Sequence, residues 1–239
     1  MLKKLFDRDQ IWFAVLWIVV YVFGFGNADM LSETIGVLKL LTVLLGLVLS
    51  VVLYSFVRRH GLSGYYGLCR GRGGRHFLYF IPLAVISSVN FWNGVTVNAP
   101  ALESLLYIAS MCFVGFLEEL IFRGMLFKGM CQSNVKAAII VSSLTFGAGH
   151  IVNLLMGAPL LDTLLQLVYA AAVGFCYTAV FYVGGSILPC ILSHIVVNAT
   201  SIFAATPDSG MNILIAMAQT GISIAYGLWL LHAAKKMQA

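Results

Sequence analysis

Glu118 and Glu119 stand side by side and are followed four positions on by Arg123, in the run Glu118-Glu119-Leu120-Ile121-Phe122-Arg123, inside a stretch apolar enough to cross a membrane. A charge in hydrocarbon costs several kcal/mol unless it is paired or faces water, so intramembrane charges mark chemistry. On a helix Glu119 and Arg123 share a face and neutralise one another, whereas Glu118 is turned away by about 100° and left to point at a cavity. A carboxylate so placed suits general base work on a bound water.

Two further polar stations lie in apolar surroundings: Phe146-Gly147-Ala148-Gly149-His150, and His194-Ile195-Val196-Val197-Asn198. His194 and Asn198 fall on one helix face. Each station also has a structural reading. A lone intramembrane His is commonly a hydrogen-bonded packing residue, a His/Asn pair can be glue between helices, and two Glu with an Arg can be a structural ion cluster. The conjunction of all three at compatible depths, roughly 13–21 Å along their helices, favours chemistry. Phe146 fits a cavity-shaping role.

A metal is the main chemical alternative. Glu118, His150 and His194 could hold zinc with a water in the open position. The HExxH helix of the familiar zinc peptidases is absent, and Arg123 nearby disfavours a dication. The expectation is therefore no cofactor, with zinc as the alternative.

The elements that must position these residues are membrane helices. The chain has 239 residues, 61% of them hydrophobic and 10% charged, with a mean hydropathy of +0.96; soluble domains carry about 25% charged residues. At about 20 apolar residues per span, the pattern predicts about eight segments: 11–28, 35–57, 77–93, 101–127, 136–152, 162–183, 186–204 and 211–233. The expected fold is all-α, a polytopic bundle with a cytoplasm-facing intramembrane cavity. It forms a single transmembrane domain over 1–239 with a motif-bearing core at 101–204.

The net charge of +5 does not indicate nucleic acid. With both termini cytoplasmic, Lys3, Lys4, Arg8, Arg58, Arg59, Arg70, Arg72, Arg75, Lys128, Lys136, Lys235 and Lys236 all fall inside and only Lys39 outside, as the positive-inside rule requires. The arginine-rich connection from Arg58 to His76 reads as an anchor at the anionic headgroups. Trp12, Trp17, Trp92 and Trp229 fit an interfacial belt. The apolar run from Ile11 is retained as a span, since no small-residue cleavage site follows it. Cys69, Cys112, Cys131, Cys176 and Cys190 are scattered and lack CxxC spacing, which indicates neither disulfides nor a thiolate site.

The three motifs, Glu118-Glu119-x-x-x-Arg123, Phe146-x-x-x-His150 and His194-x-x-x-Asn198, in this order, resemble the CAAX protease and bacteriocin-processing (CPBP, or Abi) family of intramembrane endopeptidases, which includes the type II CAAX prenyl endopeptidases. The resemblance implies that Glu118 and His150 activate the hydrolytic water, that Glu119 and Arg123 order the site, and that His194 and Asn198 serve the oxyanion. It implies a membrane-associated protein or peptide substrate, of the CAAX type or from peptide or bacteriocin processing, in a bacterial cell membrane. Two other classes compete: a non-catalytic membrane regulator or bacteriocin-immunity partner, and a proton-coupled transporter using the same groups as a relay. The transporter would show internal repeats, and none is evident.

Overall fold

The computed structural model describes residues 2–71 and 80–238. Arg72, Arg75 and His76, and the first residues of the expected third segment, lie outside the described residues. The chain forms α1 (Leu2–Arg8), α2 (Gln10–Ile35), α3 (Leu40–Arg59), α4 (Ile81–Ser87), α5 (Ala101–Glu118), α6 (Lys128–Cys131), α7 (Val135–Gly149), α8 (Val152–Leu155), α9 (Leu160–Gly184), α10 (Leu188–Thr200) and α11 (Ser209–Gln238). Between α5 and α6 the helix continues through a nine-residue π-helical stretch, Glu119–Phe127.

Local chemistry sets these limits. The Asp9 carboxylate accepts from the backbone N–H groups of Ile11 and Trp12 at the start of α2, and the Asn134 side chain accepts from Ala137 N–H at the start of α7. Both are N-caps that satisfy donors the helix leaves open. Pro82 and Pro189 occupy first-turn positions in α4 and α10, where a missing N–H costs nothing.

Among the described residues six helices are long and apolar enough to cross a membrane: 10–35, 40–59, 101–131, 135–155, 160–184 and 209–234. The protein is an integral, multi-pass membrane protein. The two remaining expected segments are shorter helices. One is α4 with the 3₁₀ turn Val89–Phe91, and the other is α10 with the 3₁₀ turn Ser201–Phe203.

Contacts between helix ends define two faces of the bundle. On one, the Tyr65 hydroxyl and the Gln132 amide both donate to Gln10 Oε1, at 2.9 and 3.1 Å, and Ile187 N–H donates to Gly67 C=O at 3.0 Å. Arg58, Arg59 and Arg70 belong to this arginine face. On the other, Lys39 pairs with Asp29 at 2.7 Å, Val95 bridges to Ala204, and the Asn212 amide donates to Asp162 at 2.8 Å.

The loop after α3 is docked rather than merely resting on headgroups. Tyr66 is buried and packs edge-on to Phe6, itself edge-on to Phe13 and Phe56. Gly67 sits at φ +73°, and a Cβ there would lie 2.3 Å from the Phe181 ring, so both backbone and space demand glycine. Trp17 departs from the expected aromatic belt: it is buried in the interior against Phe13.

Candidate active site

α5 carries Glu118 at its last position, and the π-helical stretch begins with Glu119. Such stretches are rare and concentrate at functional sites. This one is buried throughout. Glu119 and Arg123 meet at 2.9 Å with no exposure on either side chain, as their spacing predicts. The Arg123 guanidinium also lies 4.1 Å over the Phe146 ring and 5.6 Å from the Tyr177 ring, so aromatic faces take up charge where carboxylate oxygens do not reach. Gly174 makes room for it: a Cβ there would stand 3.0 Å from Arg123 Nη2 and 3.0 Å from Phe146.

His194, on α10, sits between the two carboxylates. Its Nδ1 is 2.8 Å from Glu119 Oε1, and its Nε2 is 3.4 Å from Glu118 Oε2. His194 thus presents one ring nitrogen to each glutamate. The family resemblance had paired His194 with Asn198 at the oxyanion, and this double contact with the glutamates was not legible in the motif spacing. Glu118 is held from a second direction by the Tyr21 hydroxyl, which donates to Oε1 at 2.6 Å. Its side chain nevertheless stays 13% exposed.

His150 follows the last residue of α7 and is half-buried, with Nδ1 3.2 Å from Phe146 C=O. The Phe146 ring stands edge-on to both imidazoles, 5.5 Å from His150 and 5.7 Å from His194. Asn198 is half-buried one turn beyond His194 on the same face, and its carbonyl accepts from the Ser201 hydroxyl at 2.7 Å. The structure thus gathers Glu118, Glu119, Arg123, His194 and Phe146 in direct contact, with His150 and Asn198 at the margin.

Four residues at or beside the site were missed by sequence reasoning. Tyr21 sits 97 positions from its partner, in a span where a tyrosine reads as interfacial. The Tyr177 hydroxyl contacts Ser193 Oγ at 2.8 Å, and Ser193 contacts Ser87 at 2.7 Å. This relay fixes α10 next to His194, yet hydroxyls in an apolar helix carry no motif.

For zinc, the three expected ligands do not converge. Only Glu118 and His194 of that set touch, with Arg123 behind Glu119. Among the described residues no three His, Cys, Asp or Glu side chains form a group that could hold a metal.

Residues 100–200 match the family model described as Type II CAAX prenyl endopeptidase Rce1-like. No curated protein and no solved structure matches the chain. The matched stretch contains every expected site residue, from Glu118 to Asn198, and the helices that carry the glutamates and both histidines. The match is consistent with the CAAX protease and bacteriocin-processing family and supports a peptidase in this multi-pass membrane protein.

Proposed function

We propose that the chain is an intramembrane endopeptidase that hydrolyses a peptide bond of a membrane-associated protein or peptide with an activated water and no covalent intermediate. Residues 1–239 act as one transmembrane domain, with the chemistry in 101–204. The observation that carries this reading is the division between the two carboxylates. Glu119 is sealed against Arg123 at zero exposure, whereas Glu118 stays accessible and is aimed by Tyr21 and His194.

In this mechanism Glu118, helped by His150, takes a proton from the water, whose oxygen attacks the scissile carbonyl carbon. The carbonyl π electrons move to oxygen. The Asn198 amide and His194 Nε2 then donate to that oxyanion. His194 is free to do so because its contact with Glu118 is long, and because Glu119 anchors its other nitrogen. When the carbonyl re-forms, the C–N bond breaks and Glu118 passes its proton to the leaving nitrogen. Each proton taken is returned, so Glu118 ends ionised.

Glu118→Gln keeps the size and the Tyr21 contact but removes the base. Comparative peptide profiling of membranes containing the native chain or this variant tests the reading. Products should be lost with Glu118→Gln at unchanged protein level. Products that persist would make the chain a non-catalytic membrane partner.

A further inference from the structure

α4 and α10, the two shorter apolar helices, enclose a cavity of about 1070 Å³. α4 contributes Leu83, Ala84 and Ser87 to its lining, and α10 contributes Leu188, Leu192, Ser193 and Val196. These positions recur three and four apart, so each helix turns one face to the cavity. The opposite face of α10 belongs to the glutamates: His194 Nδ1 meets Glu119, and Ile195 lies over Gly115. α10 is therefore the wall between cavity and site.

Arg70 and Gly71 line one end. Hydrogen bonds from the start of α10 set their place: Ile187 N–H donates to Gly67 C=O at 3.0 Å, and the Ser186 hydroxyl donates to Cys69 C=O at 2.7 Å. Beyond Val196 the two sides are tied together, where the Asn90 amide donates to Val197 C=O and, at 2.9 Å, to Thr200 Oγ1. From Leu188 to Val196 is about 12 Å along α10 at 1.5 Å per residue. That is less than half of a hydrocarbon core of about 30 Å, so an occupant reaches one leaflet deep. A membrane-crossing helix of about 20 residues is too long for it.

The chemistry of the walls selects the occupant. Ser87 Oγ lies 2.7 Å from Ser193 Oγ, which lies 2.8 Å from the Tyr177 hydroxyl. The Ser88 hydroxyl donates to Val85 C=O and accepts from Trp92 Nε1. The lining hydroxyls are thus committed within the protein. A polypeptide would bring N–H and C=O groups that need partners, whereas an acyl chain needs none. Leu188 and Leu192, 45% and 64% exposed, offer such a chain apolar surface. At the loop end Arg70 is exposed and, among the described residues, has no carboxylate within ion-pair distance. The connection from Arg58 to His76 contains no acid that could neutralise it. Basic clefts between membrane helices take anionic headgroups.

We propose that this cavity is a binding site for one anionic phospholipid of the arginine-side leaflet, with an acyl chain between α4 and α10 and the phosphate against Arg70. The chain packs on the side of α10 turned away from His194, so the lipid and the site share a helix without sharing a surface. A choline headgroup would set a second positive charge beside the arginines, which favours a lipid of net negative charge. The site stands independently of the peptidase reading.

Native mass spectrometry and thermal melting of the full chain in dodecyl maltoside, mixed with phosphatidylglycerol or phosphatidylcholine, test the proposal. One phosphatidylglycerol should be retained, and a saturating amount should raise the melting temperature by about 5 °C. Phosphatidylcholine should be retained about fivefold less. Arg70→Gln should erase that preference and Arg70→Lys should keep it. Ala84→Trp fills the cavity from an exposed position and should abolish retention and melting shift together. Leu192→Trp, also exposed, covers the case in which Ala84→Trp fails to fold. No retained lipid, equal retention of the two lipids, or retention that survives both tryptophan variants overturns the proposal. So does a melting shift with farnesol and none with phosphatidylglycerol, which would assign the cavity to a neutral chain. Neither measurement uses peptide cleavage, so a failure of the peptidase reading leaves both outcomes unaffected.

Discussion

Tyr21 and Glu118, on helices far apart in the chain, share a hydrogen bond of 2.6 Å in which the tyrosine donates to the carboxylate. The bond fixes one oxygen of the accessible glutamate and leaves the other to face His194. Tyr21 is itself buried against Phe25, at 4.6 Å between rings, so it has little freedom to follow a displaced partner.

Tyr21→Phe should therefore lower kcat by about 10- to 100-fold with KM nearly unchanged, since it removes aim and not binding. Steady-state kinetics on the purified protein decides this. A change confined to KM would place Tyr21 in substrate binding instead.

The Glu119–Arg123 pair is buried on both sides. Arg123→Met leaves the buried Glu119 carboxylate with His194 alone beside it and should cost about 3–5 kcal/mol in unfolding experiments in detergent. The double variant Glu119→Gln/Arg123→Met should recover part of that stability while remaining inactive, because His194 then loses its anionic anchor. Equal stability of single and double variants would contradict the pairing.

Gly174→Ala places a methyl 3.0 Å from Arg123 Nη2 and from the Phe146 ring. Overpacking of this kind costs about 1–3 kcal/mol. Activity should fall further than that loss of folded protein accounts for, because both neighbours belong to the site. Activity per folded molecule, read beside a thermal melt, separates the two effects.

Tyr66 lies outside the spans, and burial pushes its hydroxyl well above the ordinary value of 10.0. Below pH 10 the group is neutral in both states and its contribution is fully present. Above it, unfolding alone permits ionisation, so stability falls by about 1.4 kcal/mol per pH unit for this group. Tyr66→Phe should make unfolding less sensitive to pH between about 10 and 11. An unchanged slope would mean that Tyr66 is not sealed in the arginine face.

The metal-free mechanism predicts that Glu118-dependent cleavage survives 1,10-phenanthroline. Complete loss of activity, restored by stoichiometric zinc, would replace it with a zinc mechanism on Glu118, His150 and His194.

The class of this protein and the pairing of its buried charges were legible in the sequence, because membrane burial depends on composition and helix pairing on spacing. Sustained apolarity specified a helical membrane protein, and the four-residue interval of Glu119 and Arg123 specified their ion pair. The π-helical stretch, the bridging of both glutamates by His194, the aiming of Glu118 by Tyr21 and the Ser87–Ser193–Tyr177 relay were decided by tertiary structure. Each depends on where one helix sets its face against another, and an isolated tyrosine or serine in an apolar run has no periodicity that encodes its partner. Depth along a helix could be counted from the sequence. Which residues of α10 face the glutamates and which line the cavity beside α4 is a property of several helices packed together, and appears only in three dimensions.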